Sequence, residues 1–262
     1  MEWSDFIILL ICGIVSGFTN TVAGGGSFLT LPILIFMDLP VSIANGTNRV
    51  QIVMQNIFAV SGFKSRGVSE FKFSGWLSLS AIIGSIIGAK IAIDFPEDAF
   101  KKILSFLMII VVMSIFLKKN KSINQLNQKL IKNKLVSILL FFFVGIYGGF
   151  IHAGVGFIMI AILAHINSLK LSKANSIKVF VVLMYTIFAL MIFIYEGKIN
   201  WIYGISIGLG SGLGGWIASR WSYNKSDRII KILIPMRKRI RFRSFNLGGS
   251  ILIAKCSCCP EA

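Results

Sequence analysis

The sequence predicts an all-α polytopic membrane protein made of two inverted repeats, with Gly-broken re-entrant helices and about 7–8 spanning segments. Three observations predict it. The chain is 55% hydrophobic and only 14% charged, with mean hydropathy +0.81, where a soluble domain carries about a quarter charged residues. Several apolar runs reach the length of about 20 residues needed to cross a bilayer. Finally, one pattern occurs twice. Residues 13–31 read GIVSGFTNTVAGGGSFLTL and residues 145–162 read GIYGGFIHAGVGFIMIAI, each an apolar helix with glycines four apart that breaks at a glycine cluster.

Long spans are predicted at 4–23, 42–63, 73–93, 100–117, 134–151, 172–195 and 199–219, with shorter apolar pieces at 27–37, 155–168 and 228–235. The run 4–23 carries Gly13 and Gly17 and stops at Gly24, Gly25 and Gly26. After the short piece 27–37 comes Ala44-Asn45, opening a long helix. The second half repeats this with Gly145 and Gly149, then Gly154 and Gly156, then Ala174-Asn175, at an offset of about 130 residues that Gly67 and Gly197 also keep. The glycine-spaced helices at Gly13, Gly17, Gly145 and Gly149, and the faces at 84–88 and 208–214, read as close-packing surfaces, since small residues let membrane helices approach. Four regions follow: 1–117 as the first transmembrane repeat, 118–134 as a basic linker, 135–236 as the second repeat, and 237–262 as an atypical basic, Cys-containing tail.

Charge orients the chain. The net charge is +17, but the cations sit in short loops between apolar runs, which fits positive-inside topology and anionic lipid rather than nucleic acid. Lys118, Lys119, Lys121, Lys129, Lys132 and Lys134 mark the linker as cytoplasmic. Counting spans backwards puts the loop with Asp94, Glu97 and Asp98 outside and the loop with Lys64 and Arg66 inside. With 4–37 as a re-entrant pair, the N-terminus is also outside. The first half then makes an odd number of net crossings, so the second copy starts from the opposite side and the repeats are inverted. The acidic start Met1-Glu2-Trp3-Ser4-Asp5 is unlike the basic start of a signal peptide. The expected location is the bacterial inner membrane, multi-pass.

Near the tail the repeat fails. From 229 to 234 the apolar stretch is about 9 Å of helix at 1.5 Å per residue, after which come Pro235 and a run of arginines. A stub helix with a cytoplasmic tail is expected. Cys256, Cys258 and Cys259 have no partner histidines, so no metal site is expected.

The residues point to an anion site. Paired Gly-interrupted segments in two halves mark a transporter's binding site, and a glycine cluster opening a helix presents backbone N–H groups and a positive dipole end. Gly24, Gly25, Gly26, Gly154 and Gly156 are candidate ligands on that ground, with the Ser27 hydroxyl beside them. Asn20 precedes the first break and His152 takes the matching place before the second; His152 either contacts substrate and carries a proton or is a packed histidine. Asn45, Thr47, Asn48 and Arg49 lie in the opening turns of one long helix, Asn175 and Lys178 in those of its counterpart. An ionisable residue inside a span is a functional candidate because isolation in lipid is costly. For Arg49 and Lys178 the alternative is snorkelling to the headgroups; for Asn45 and Asn175 it is capping or bonding between helices. No carboxylate lies well inside a span, which argues against a cation carrier.

The run GIVSGFTNTVAGGGSFLTLPIL followed by SIANGTN resembles the TauE/SafE, sulfite exporter-like family of membrane transporters, and GIYGGFIHAGVGF is similar to the family's degenerate second copy. The likeness covers residues 4 to about 234, with Val155 interrupting the second cluster and Ala161-Ile162 standing where the first copy has Leu31-Pro32. It implies export or uptake of small sulfur-containing or organic anions.

The expected function is transport of small anions, sulfur oxyanions or organosulfonates and carboxylates, by alternating access at the repeat interface. The alternatives are a channel-like anion pore and a membrane scaffold or assembly factor without transport. No nucleotide-binding motif, redox motif or nucleophile–base arrangement appears, so neither an enzyme nor a cofactor is expected. The expected partners are a small anionic substrate and the lipid bilayer.

Overall fold

In a computed structural model, residues 3–67, 71–116, 134–167, 169 and 171–239 are described. They form helices α1 (Trp3–Val22), α2 (Ser27–Phe36), α3 (Val41–Lys64), α4 (Phe71–Ile93), α5 (Glu97–Phe116), α6 (Lys134–Phe150), α7 (Val155–His165), α8 (Leu171–Tyr195) and α9 (Trp201–Arg239). No strand occurs among the described residues. Three of the helices, over Trp3–Val22, Phe73–Ile93 and Leu171–Tyr195, are long and apolar enough to cross a membrane. Helix α3 is as long but carries a buried polar face from Asn45 to Asn56, which lowers its apolarity.

The order long, short, long, long recurs, and so do the turns. Among the described glycines, φ is positive at Gly24 (99°), Gly67 (72°), Gly154 (75°) and Gly197 (64°). These are two pairs at the offset predicted from sequence. Gly67 and Gly197 end α3 and α8 in the same way, their N–H groups donating to Lys64 O and Ile194 O at 3.0 Å. The left-handed backbone there favours glycine because it has no Cβ to clash.

The glycine faces pack backbone to backbone. A Cβ on Gly13 or Gly17 of α1 would overlap the backbone of Ile207 or Ser211 on α9, and one on Gly210 or Gly214 would overlap Leu10 or Ile14 on α1. Gly84 and Gly88 of α4 meet Phe142 and Ile146 of α6, while Gly145 and Gly149 of α6 meet Ala81 and Ser85 of α4. The first helix of each half therefore packs on the fourth helix of the other half, α1 on α9 and α6 on α4. Close approach suits lipid, where dispersion and weak polar contacts must replace the hydrophobic drive.

Helix α9 differs from expectation. It runs unbroken from Trp201 to Arg239 rather than stopping near 219 and restarting as a stub at 228. No Gly or Pro lies between Trp216 and Ile234, whereas Pro96 separates α4 from α5 in the first half. The compact unit of the chain is Met1–Ser226, and Asp227–Ala262 forms a second unit. The linker from 117 to 133 and the tail from 240 onward lie outside the described residues.

Candidate functional site

The two breaks lie against each other. Gly24 stands with its Cα against Gly156, so that a Cβ on either would overlap the other's backbone. The Phe157 ring occupies the space beside Gly25, with Cε2 at 2.6 Å from a Cβ built there, and the Phe28 ring does the same for Gly154 at 2.7 Å. The glycines predicted as ligands are thus brought together, and they are also packing positions.

Each break has a negative end, where α1 or α6 stops, and a positive end, where α2 or α7 starts. A helix leaves its last four carbonyls without intrahelical partners. At the end of α1, the Lys178 ammonium donates to Asn20 O and Thr21 O, both at 2.9 Å, and Asn175 Nδ2 donates to Val22 O at 3.1 Å. Lys178 also donates to Asn175 Oδ1 at 3.1 Å. At the end of α6, Arg49 Nη1 donates to Gly148 O at 3.2 Å and Nη2 to Gly149 O, while Asn45 Nδ2 donates to Phe150 O at 3.0 Å. The Arg49 guanidinium also lies 4.6 Å from the centre of the Phe193 ring. A cation and an asparagine from α8 cap α1, and a cation and an asparagine from α3 cap α6.

Neither cation snorkels. Arg49 is 0% exposed and Lys178 is 2% exposed. Their charge faces the partial negative charge of a helix C-terminus, which favours cations. Asn45 and Asn175 take the bonding role between helices that was the alternative to substrate contact.

The positive ends are different. Neither the N-cap Gly26 of α2 nor the N-cap Gly154 of α7 has a side-chain capping bond. At α2 the hydroxyls of Ser27 and Ser16 are buried with no hydrogen-bond partner among the described residues. Ser16 Oγ lies 2.7 Å from the position a Cβ on Gly26 would take, with Asn20 Cβ at 2.6 Å.

The remaining candidates are placed as follows. Asn20 Nδ2 donates to Gln55 Oε1 at 3.0 Å. Asn48 Oδ1 accepts from Thr30 Oγ1 of α2 at 2.6 Å. Thr47 lies away from the breaks and accepts from the N–H of Asn200 at 2.9 Å, holding the start of α9. His152 Nδ1 pairs with the Tyr185 hydroxyl at 2.9 Å.

Ser16, Gln51, Gln55 and Tyr185 escaped the sequence reading. Gln55 Nε2 donates to Thr21 Oγ1 at 3.3 Å and Gln51 Nε2 to Gln55 Oε1 at 3.3 Å, so the polar face of α3 continues past Arg49. The signal was present: two glutamines four apart inside an apolar span lie on one helix face and need partners there.

The chain matches the family described as sulfite exporter TauE/SafE over residues 9–235. It is similar to the probable membrane transporter protein ORF9 of a Sinorhizobium species, 26% identical over 226 residues, covering 86% of each chain. A probable membrane transporter protein of Haemophilus influenzae is 25% identical over 231 residues, covering 88% of this chain and 90% of its own. YfcA of Escherichia coli K12, also named a probable membrane transporter protein, is 26% identical over 227 residues, covering 87% and 84%. No solved structure matches the chain. The match across both breaks and nearly all described helices makes this multi-pass membrane protein a member of the sulfite exporter TauE/SafE family.

Proposed function

We propose that the chain is a carrier of small anions, namely sulfur oxyanions, organosulfonates or small carboxylates, working by alternating access between two inverted repeats. It would sit in the cell membrane with the N-terminus outside and residues 118–134 in the cytoplasm. The observation that carries the reading is the polarity of the breaks. Both negative helix ends are capped by a buried cation and an asparagine from the other half. Both positive ends lack a side-chain cap, and a positive end is suited to an anion.

Charge balance supports the same class. Arg49 and Lys178 are buried, and no Asp or Glu is buried among the described residues. Helix ends offset only about half a charge each, so the centre keeps a positive field. The matching turns, and the exchange of caps and glycine faces between halves, support a pseudo-symmetric core whose halves rock against each other, as in other repeat-built carriers.

The test is flux into proteoliposomes across sulfite, sulfate, thiosulfate, sulfoacetate and acetate. Saturable flux with exchange of at least one of them is expected. Unsaturated flux would instead favour a pore, and no flux of any of the five would remove the reading.

A further inference from the structure

The two breaks differ in their hydroxyls. Aligned by the packing glycines of α1 and α6, Ser16 corresponds to Gly148, and past the break, at the offset of 130, Ser27 corresponds to Phe157. Near the second break, the Tyr147 hydroxyl donates to Ala153 O at 2.7 Å and that of Tyr185 pairs with His152 at 2.9 Å, while the Thr186 hydroxyl beside Tyr185 has no partner among the described residues. The hydroxyls of Ser16 and Ser27, 0% and 2% exposed, have no partner among the described residues. A mid-helix serine ordinarily bonds back to a carbonyl one turn earlier; Thr19 and Ser206 do so at 2.9 and 2.7 Å. An unpaired buried hydroxyl is costly, and here two converge on one uncapped helix N-terminus.

Lys178 is spent. An ammonium has three donors, and the three bonds to Asn20, Thr21 and Asn175 use them all. Arg49 is held at the far break by the carbonyls of α6 through Nη1 and Nη2, its Nε having no partner among the described residues.

Resting on the carrier reading, we infer that the substrate's oxyanion head is held at the first break, by the Ser16 and Ser27 hydroxyls and the first N–H of α2, since the next two N–H groups, of Phe28 and Leu29, already donate to Gly25 O and Gly26 O. Lys178 and Arg49 act on it by field without touching it. The site suits a small oxyanion head, a sulfonate, sulfite or carboxylate, whose oxygens can accept from the hydroxyl and N–H donors together. Both hydroxyls are buried here, so loading requires the halves to part.

The experiment uses the full chain, purified and in proteoliposomes, with Ser16→Ala and Ser27→Ala. Each removes one unpaired oxygen, so the ligand-free Tm should equal or exceed that of the parent. The half-saturating concentration of the transported oxyanion should rise about tenfold or more in each variant. The Tm rise produced by millimolar sulfoacetate, sulfite or acetate should shrink in parallel. Unchanged half-saturation and Tm rise in both variants would overturn the subsite and leave the carrier intact. A Tm rise lost in both variants, with no flux in the parent, would keep the subsite and remove the carrier. Loss of folding in both variants would show that the hydroxyls have structural partners, and would also overturn the subsite.

Discussion

Gly24 and Gly156 lie backbone against backbone, each filling the position that a Cβ on the other would need. Two helix breaks from opposite halves are thereby joined without an intervening side chain.

Gly24→Ala should combine strain with overlap. Left-handed backbone at φ 99° costs a side chain about 1–2 kcal/mol, and overpacking adds about 1–3 kcal/mol. Gly67, at φ 72°, has open space around it, so Gly67→Ala should cost only the first amount, about 1–2 kcal/mol. Thermal unfolding in detergent measures both. Equal losses would mean that the contact between the breaks yields easily.

The two caps predict paired effects. Arg49→Gln and Lys178→Gln leave buried carbonyls without charged donors and should each cost about 2–4 kcal/mol of stability. Anion affinity should fall by about 1–2 kcal/mol in each, more for dianions than for monoanions, because a buried charge has been withdrawn. Equilibrium binding of mono- and dianions to the folded variants checks this. Unchanged affinity for both classes would limit the cations to a structural role.

Tyr185→Phe removes the partner of His152 Nδ1, a bond of 2.9 Å between residues 0% and 3% exposed. The expected cost is about 1–2 kcal/mol. A double-mutant cycle with His152→Ala should give a coupling of about 0.5–3 kcal/mol. Additive losses would mean that the pair is a neighbour contact only.

Topology is testable by cysteine labelling from either side of the membrane. Positions within 94–98 should react from outside and positions within 118–134 from the cytoplasm, following the lysine run of the linker. Reaction of both loops from one side would remove the inverted-repeat arrangement.

Much of the fold was legible in the residues because membrane constraints act locally. A span needs a continuous apolar run, and a break needs glycine, so the boundaries at Gly24–Gly26 and Gly154–Gly156 and the turns at Gly67 and Gly197 appear in the one-dimensional pattern. The packing glycines at Gly13, Gly17, Gly145 and Gly149 were legible for the same reason. Helix α9 runs further than its apolar pattern predicts: low apolarity after 219 reads as an ending, while no Gly or Pro interrupts the chain from 217 to 234.

The sequence by itself determined which residues are polar within apolar helices, and that they come in near-equivalent pairs. Only the tertiary structure decided what those residues face. Arg49 and Lys178 look alike as buried cations, yet their partners are carbonyls at the end of a helix in the other half, some hundred residues or more away in the chain. Ser16 carries no signal in the sequence; the fold-back of α2 is what sets Gly26 against it. Periodicity assigns a residue to a face of its own helix. Which helix end that face meets is set by how the two halves exchange their first helices, and that exchange is a long-range packing outcome with no local signature.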